Sequence, residues 1–466
     1  MRHRAVGVNL PADNESALRA IRGAPVRMSH PLFAPGFKTT PWWWEAAEPP
    51  QRDNALPDQA PVVIIGGGYA GLSAALTLRR LGQPALVLDA ERIGWGASSR
   101  NGGMVSGGLK VAGSGLEARF GPEAAKQITR AAAASFPFIE ETIAREGIDC
   151  DYIRCGRFTA AWSRGHYDAL ARHADLIAEV TGLPTSMLPR ERQREALGSD
   201  HYHGGMLAAA TGSLHPGKYA RGLAAAAERA GARLVDGVRV QKIRAEGSGF
   251  HIATDRGALR ADAVLVTTNG YSLDRRGTAL PWFARRLVPL NSYIIATEEL
   301  GEAKIEQLFP GRRMISDTKR VLNYFRPSPD GKRILWGGRA SFRAATAEQT
   351  AVALHGYLTA CFPELAKTRL THAWTGYVAF TFDHIPHIGV EGGIHYAGGC
   401  QGSGVAMATW LGHNAALKLA GAANERFALD GLPFPTRPFY AGDPSWVLPF
   451  IGGWYRLRDR IDRIAA

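Results

Sequence analysis

Residues 61–103 read PVVIIGGGYAGLSAALTLRRLGQPALVLDAERIGWGASSRNGG. From Ala60 to Leu78 there is no charged residue, a length that in principle reaches across a bilayer. Three features argue against a membrane span. Pro61–Ile65 is β-branched and strand-like, and Gly66, Gly67 and Gly68 would weaken a helix at its middle. After Leu72 the apolar residues take helical spacing and stop at Arg79, Arg80 and Gly82. A second strand, Ala85–Leu88, is closed by Asp89. The order strand, glycine turn, helix, strand, acid is the context in which GxGxxG binds a dinucleotide. Gly66 makes the tight turn, Gly68 admits the backbone to a pyrophosphate, and Gly71 lets helix and strand approach. The helix N-terminus supplies free N–H groups and its positive dipole end. Asp89, 18 residues after Gly71, is placed to accept hydrogen bonds from a ribose diol.

The remaining composition narrows the field. The 466 residues suggest two or three lobes around a large core. A net charge of +13 would suit an anionic partner, but the basic residues are scattered and no Lys/Arg block carries interleaved aromatics. Nucleic acid is therefore not the expected partner. Cys150, Cys155, Cys361 and Cys400 form no CxxC pair or zinc spacing, and the His201/His203 pair lacks a third ligand, so no metal site is expected. Few cysteines and no apolar signal region predict a reducing, cytoplasmic location. Residues 1–45 read as a polar extension, with Met28 an alternative start and Trp42–Trp44 packed against the body.

The segment Arg92–Gly103, with GWGASSRNGG after the acid, is what identifies the cofactor. Here the chain resembles the D-amino-acid oxidase superfamily of FAD enzymes, whose glycine-, sarcosine- and γ-glutamylputrescine-oxidase members carry a similar succession. The usual family acid is Glu; Asp89 is one methylene shorter. The resemblance implies FAD contacts from Gly66, Gly68, Tyr69, Ala70, Gly71, Asp89, Ala90, Gly96, Ala97, Ser98, Arg100, Asn101, Gly102 and Gly103. It also implies an adenine contact through the Val240 backbone and a further approach at Thr268, Asn269 and Gly270. A second glycine hinge, Gly398–Gly404, lies between a strand at Ile394–Ala397 and a helix at Val405–Leu419. Gly399, Gly402, Ser403, Gly404 and Val405 would place that helix's N-terminus near the flavin.

The expected architecture is α/β: a Rossmann-like FAD-binding domain with an interleaved α+β substrate domain built on an antiparallel sheet. Residues 46–110, 206–274 and 371–430 are assigned to the first, 111–205 and 275–370 to the second, and 431–466 to a tail. Helices are predicted at Glu123–Glu146 and Ser163–Val180, and strands at Leu287–Thr297, Val321–Arg326 and Arg333–Gly338. The tail combines aromatics with a basic helix and reads either as folded on the nucleotide lobe or as a membrane-surface dock.

The implied reaction is oxidation of a C–N bond in a small amine or amino acid, with hydride passing to the flavin and the imine hydrolysed. Alternatives are a dehydrogenase passing electrons to a membrane quinone and a non-catalytic flavin protein. Arg326 is the first candidate to clamp a substrate carboxylate and Arg339 the second. Tyr293 and Tyr324 are candidates for the pocket wall, His384 for a contact with flavin or amine, and Asp383 for pinning its own loop. Sarcosine oxidases tether FAD through a cysteine; Trp374–Tyr377 holds none, and Gly94–Gly103 holds no histidine, so non-covalent FAD is predicted. No lysine can be matched to the oxygen-activating one of those relatives, which leaves oxygen or quinone as acceptor.

Overall fold

The structure is a computed structural model that describes residues 30–52, 55–109, 114–181, 183–273, 277–342, 345–423 and 427–464. Five parallel strands form the centre of the nucleotide lobe, in the order Ile394–Gly398, Gly257–Val266, Gln59–Ile65, Leu86–Leu88 and Arg233–Val235. Both faces of this sheet are covered, so its strands are apolar throughout rather than alternating. Ile64, Val87 and Leu265 face the helices Tyr69–Arg80, Pro216–Arg229 and Gly404–Leu419. Val63, Leu86 and Val266 face an aromatic group that includes Phe283 and Phe434. The second strand of the hairpin Gly249–Thr254 with Gly257–Val266 runs on into the centre of the sheet, where it pairs with Gln59–Ile65.

The second sheet has nine strands. Its order is Phe33–Lys38, Leu370–Thr381, Leu287–Thr297, Ile334–Gly338, Asn323–Pro327, Met314–Asp317, Arg157–Ala160, Gly205–Ala208 and Thr185–Leu188. All neighbours are antiparallel except the first pair and the pair of Met314–Asp317 with Arg157–Ala160. The helix Ala347–Cys361, started by a Thr346/Gln349 capping box, covers one face. Beneath it Phe325 and Trp336 stack at 3.9 Å. The other face of the sheet, with Ser292, Ile294 and Tyr324, looks toward the nucleotide lobe.

Five boundaries differ from the sequence reading. Residues Phe33–Lys38 are an edge strand of the nine-stranded sheet, not part of a loose extension. Leu370–Thr381 and Gly205–Ala208 belong to that sheet as well, because their pairing partners are Leu287–Thr297 and Arg157–Ala160. The single helix expected over 123–146 is two, Pro122–Ala133 and Ser135–Glu146. Pro137 has no N–H to continue the ladder, and its ring excludes the carbonyl of Ala133. The tail divides between the lobes. Phe434 packs on Phe283, His387 and Tyr396 of the nucleotide lobe, whereas the helix Leu448–Ile464 packs on the substrate lobe through Phe342 and Asp459. Residues 1–29, with Met28, lie outside the described residues.

Candidate active site

Between the two lobes lies a cavity of about 1440 Å³. It is lined by both glycine hinges, the first through Gly66, Gly68, Tyr69 and Ala70 and the second through Gly402, Ser403, Gly404 and Val405. The two helices that begin there cross closely, with Gly412 against the backbone of Ala70. Neither helix N-terminus carries a side-chain cap. In the first helix the Tyr69 N–H donates to Ser98 Oγ at 2.9 Å, which leaves the Ala70 and Gly71 N–H groups of that turn, with those that open the second helix, to meet an anion as the dipole of each helix favours. Gly66 has φ +107°, a conformation closed to most side chains, and a Cβ at Gly68 would press on Ser98 Oγ at 2.9 Å.

Asp89 closes the nucleotide end. One carboxylate oxygen accepts from the Gly67 N–H at 2.7 Å and the other from the Glu91 N–H at 2.9 Å. A carboxylate has about four acceptor sites, so a ribose diol can still be accommodated. Burial raises its pKa to about 6, against the two N–H bonds that lower it. Ala90, Val240, Thr268, Asn269 and Gly270 line the same cavity. So do Gly96, Ala97, Ser98, Arg100, Asn101 and Gly102.

That last loop is held by tryptophans distant in sequence. Trp43 Nε1 donates to the Asn101 carbonyl, Trp374 Nε1 to the Arg100 carbonyl, and Trp44 Nε1 to Ser99 Oγ. The Arg100 guanidinium lies between the Trp44 and Trp95 rings, 4.7 and 4.1 Å from their centroids. The expected packing of Trp42–Trp44 on the body is thus a set of hydrogen bonds that shapes the cavity wall. Gly71, Gly103 and Gly399 do not line the cavity. Gly71 instead permits the close passage of helix and turn, since a Cβ there would overlap the Gly66 carbonyl.

The substrate candidates separate. Tyr324, Arg339 and His384 line the cavity; Arg326 and Tyr293 do not. Arg326 is 3% exposed, and its Nη1 donates to the carbonyls of Gly103 and Leu214 while Nε donates to Pro327. It ties the loop to the sheet through Nε and Nη1. Tyr293 faces the opposite side of its strand, with Phe325 and Trp336, because strand neighbours alternate. Tyr324 meets Ser292 Oγ at 2.8 Å. Arg339 lies 4.6 Å over the Phe380 ring and has no carboxylate partner among the described residues. His384 is exposed at the rim in a left-handed turn, φ +60°. Asp383 pins that turn: it accepts from Thr381 Oγ1 at 2.7 Å and contacts His387 Nε2 at 3.0 Å.

Several cavity residues escaped the sequence reading, Arg157, Lys319 and Cys400 among them. Arg157 has a single 3.4 Å hydrogen bond to Ser106 Oγ, and its buried Nε has no partner. Its alternation with Phe158, Thr159 and Ala160 was readable as a strand with Arg157 and Thr159 on one face. Lys319 sits 3.3 Å from Asp317 and over the Trp162 ring. Cys400 lines the cavity beside the second hinge, and burial pushes its thiol up to about 12, so it is not a thiolate.

The residues fit FAD: two uncapped helix ends, a buried acid with spare acceptor sites, and a glycine-lined cavity large enough for an extended dinucleotide. Known proteins agree. The profile of the family "DAO: FAD dependent oxidoreductase" matches residues 61–417. The chain is 34% identical over 438 residues to the probable oxidoreductase OrdL of Rhizobium meliloti, covering 92% of this chain and 98% of that one. It is 30% identical over 404 residues to γ-glutamylputrescine oxidoreductase of Escherichia coli, covering 86% and 93%. Glycine oxidase from Geobacillus kaustophilus superposes with a TM-score of 0.64 at 21% identity, covering 82% of this chain and 99% of that one. L-Proline dehydrogenase from P. horikoshii superposes at 0.63 and 20%, covering 85% and 99%. This chain belongs to the DAO family of FAD-dependent oxidoreductases.

Proposed function

We propose that the protein oxidises the C–N bond of a small amino acid or carboxylate-bearing amine. The observation that carries this reading is Arg339: a cavity-lining guanidinium over the Phe380 ring, near Tyr324 and Tyr455, with no carboxylate among the described residues paired to it. A guanidinium in that state favours a bidentate carboxylate from the substrate. Relatives whose names specify γ-glutamylputrescine and glycine support the substrate class.

FAD would be held without a covalent bond by the two helix ends and Asp89, and would supply the hydride acceptor. The chain's own part is positioning. Arg339 fixes the acid end of the substrate. The Tyr324 ring, braced by Ser292, limits where the α-carbon sits. The nine-stranded sheet and the tryptophan-held loop form part of the chamber wall. Oxygen is the proposed electron acceptor, with peroxide and an imine that water hydrolyses as products. A membrane quinone is the competing acceptor, because the tail helix contributes Tyr455 to the cavity wall.

The test is anaerobic mixing of the FAD-loaded protein with D- and L-amino acids, N-methyl amino acids and polyamine derivatives. At least one carboxylate-bearing amine is expected to bleach the flavin, and re-aeration to release peroxide. A flavin left oxidised by every compound would overturn the reading and favour a non-catalytic flavin protein.

A further inference from the structure

The helix Leu448–Ile464 is amphipathic with its polar side turned inward. Asp459 is 6% exposed and accepts the N–H groups of Arg320 and Val321, each at 2.9 Å. Asp462 pairs with Arg320 and His166, and Arg463 donates to the carbonyls of Trp162 and His201. The outward side is apolar: Phe450 is 77% exposed and Ile464 76%, with Trp454, Leu457 and Ile461 also exposed. Trp446, just before the helix, is exposed too. At about 100° per residue these six positions fall within an arc of roughly 80°, on the side opposite Asp459. Between Phe450 and Ile464 the stripe runs for about 21 Å at 1.5 Å per residue. Arg458 and Arg460, both exposed, flank it on either side. The only acids of the helix are the two turned inward.

We propose that this stripe docks on the surface of an anionic lipid bilayer. Tryptophans and phenylalanine at the headgroup boundary with flanking arginines reaching the phosphates are the pattern that binds such a surface. Charge argues against a second copy as the occupant. A two-fold contact through this face sets Arg458 and Arg460 near their own counterparts, with no acid on the stripe to meet them. The chain's net charge of +13 opposes that pairing and favours the anionic surface. No helix among the described residues is long and apolar enough to cross a membrane, so the contact is peripheral. Tyr455 reaches the cavity wall from the same helix, so docking holds that rim of the cavity against the lipid.

The test is sedimentation of the full-length FAD-loaded protein with phosphatidylcholine vesicles and with vesicles that also contain phosphatidylglycerol. The measurement reads binding, not turnover, and is independent of the substrate reading. The expected result is at least tenfold more binding to the anionic vesicles, weakened by salt. The combined change Phe450→Ser, Trp454→Ser, Ile461→Ser should lose at least tenfold while retaining flavin absorbance and the unfolding midpoint. Arg458→Gln with Arg460→Gln should abolish the preference for anionic lipid. Wild-type protein that stays in solution with both vesicle types, or a triple variant that binds as well as wild type, overturns the proposal. So does a dimer that the triple variant dissociates and that ignores vesicles, which would assign the stripe to a second copy.

Discussion

Gly412→Ala separates the two halves of the proposed cofactor site without touching the cavity. A Cβ at Gly412 would lie 2.7 Å from the Ala70 carbonyl carbon and 2.8 Å from its Cα, and nearer still to its oxygen. The oxygen, at 2.0 Å, is the limiting contact; a carbon normally settles about 3.3 Å from a carbonyl oxygen, so the helices Tyr69–Arg80 and Gly404–Leu419 must part by roughly 1.3 Å. Overpacking of this kind costs about 1–3 kcal/mol, offset by the ~1 kcal/mol that Ala gains over Gly within a helix. The larger effect falls on the ligand. Ala70 is in the first turn that lines the cavity, and losing one charge-assisted N–H contact to a phosphate costs about 1.5–3 kcal/mol. The dissociation constant for FAD should rise on the order of 10- to 100-fold, read by titrating apoprotein and following flavin fluorescence. Gly453→Ala is the control, since nothing lies within 4 Å of its Cβ position; it should leave FAD affinity unchanged. A Gly412→Ala protein with wild-type FAD affinity and wild-type unfolding midpoint would refute the convergence of the two hinges.

Other outcomes follow from the same geometry. Asp89 has its pKa raised to about 6 from an ordinary 3.8, so its favourable contribution to apoprotein stability is present below about pH 4 and is lost as pH rises through 6. That step is worth about 3 kcal/mol, and Asp89→Asn should remove it from the pH dependence of the denaturation midpoint. Arg339→Met should raise KM for a carboxylate-bearing substrate about 100-fold, equivalent to ~3 kcal/mol, while FAD affinity is unaltered in titration. Arg326→Met should instead lower the unfolding midpoint, because three buried carbonyls lose their donors at about 1–3 kcal/mol each. Acid precipitation should release all the FAD into the supernatant; flavin remaining with the pellet would show a covalent tether.

The nucleotide lobe was legible because its signals are local. The run Pro61–Asp89 carries strand, turn and helix within one βαβ unit. In the other lobe, Leu287–Thr297 likewise has the bounds its apolar run predicts. What escaped depends on distant partners. Leu370–Thr381 follows a helix and precedes the second hinge, yet its pairing with Leu287–Thr297 puts it in the other lobe. Arg326 sits on the same strand as Tyr324 and could have reached the cavity by parity alone. The Gly103 carbonyl, presented by a turn at φ +67°, takes its guanidinium instead. For Leu448–Ile464 the periodicity reveals two faces but not which one meets the protein. That is decided by Arg320 and the loop N–H groups waiting for Asp459.

The most direct test of the account is a crystal structure of the FAD-loaded protein. The pyrophosphate should lie within hydrogen-bond distance of the N–H groups at the start of Tyr69–Arg80, the ribose at Asp89, and the flavin ring beside Gly404 and Val405 with Arg339 open across the chamber. FAD bound at one hinge only, or with its ring turned away from Gly404, would contradict it.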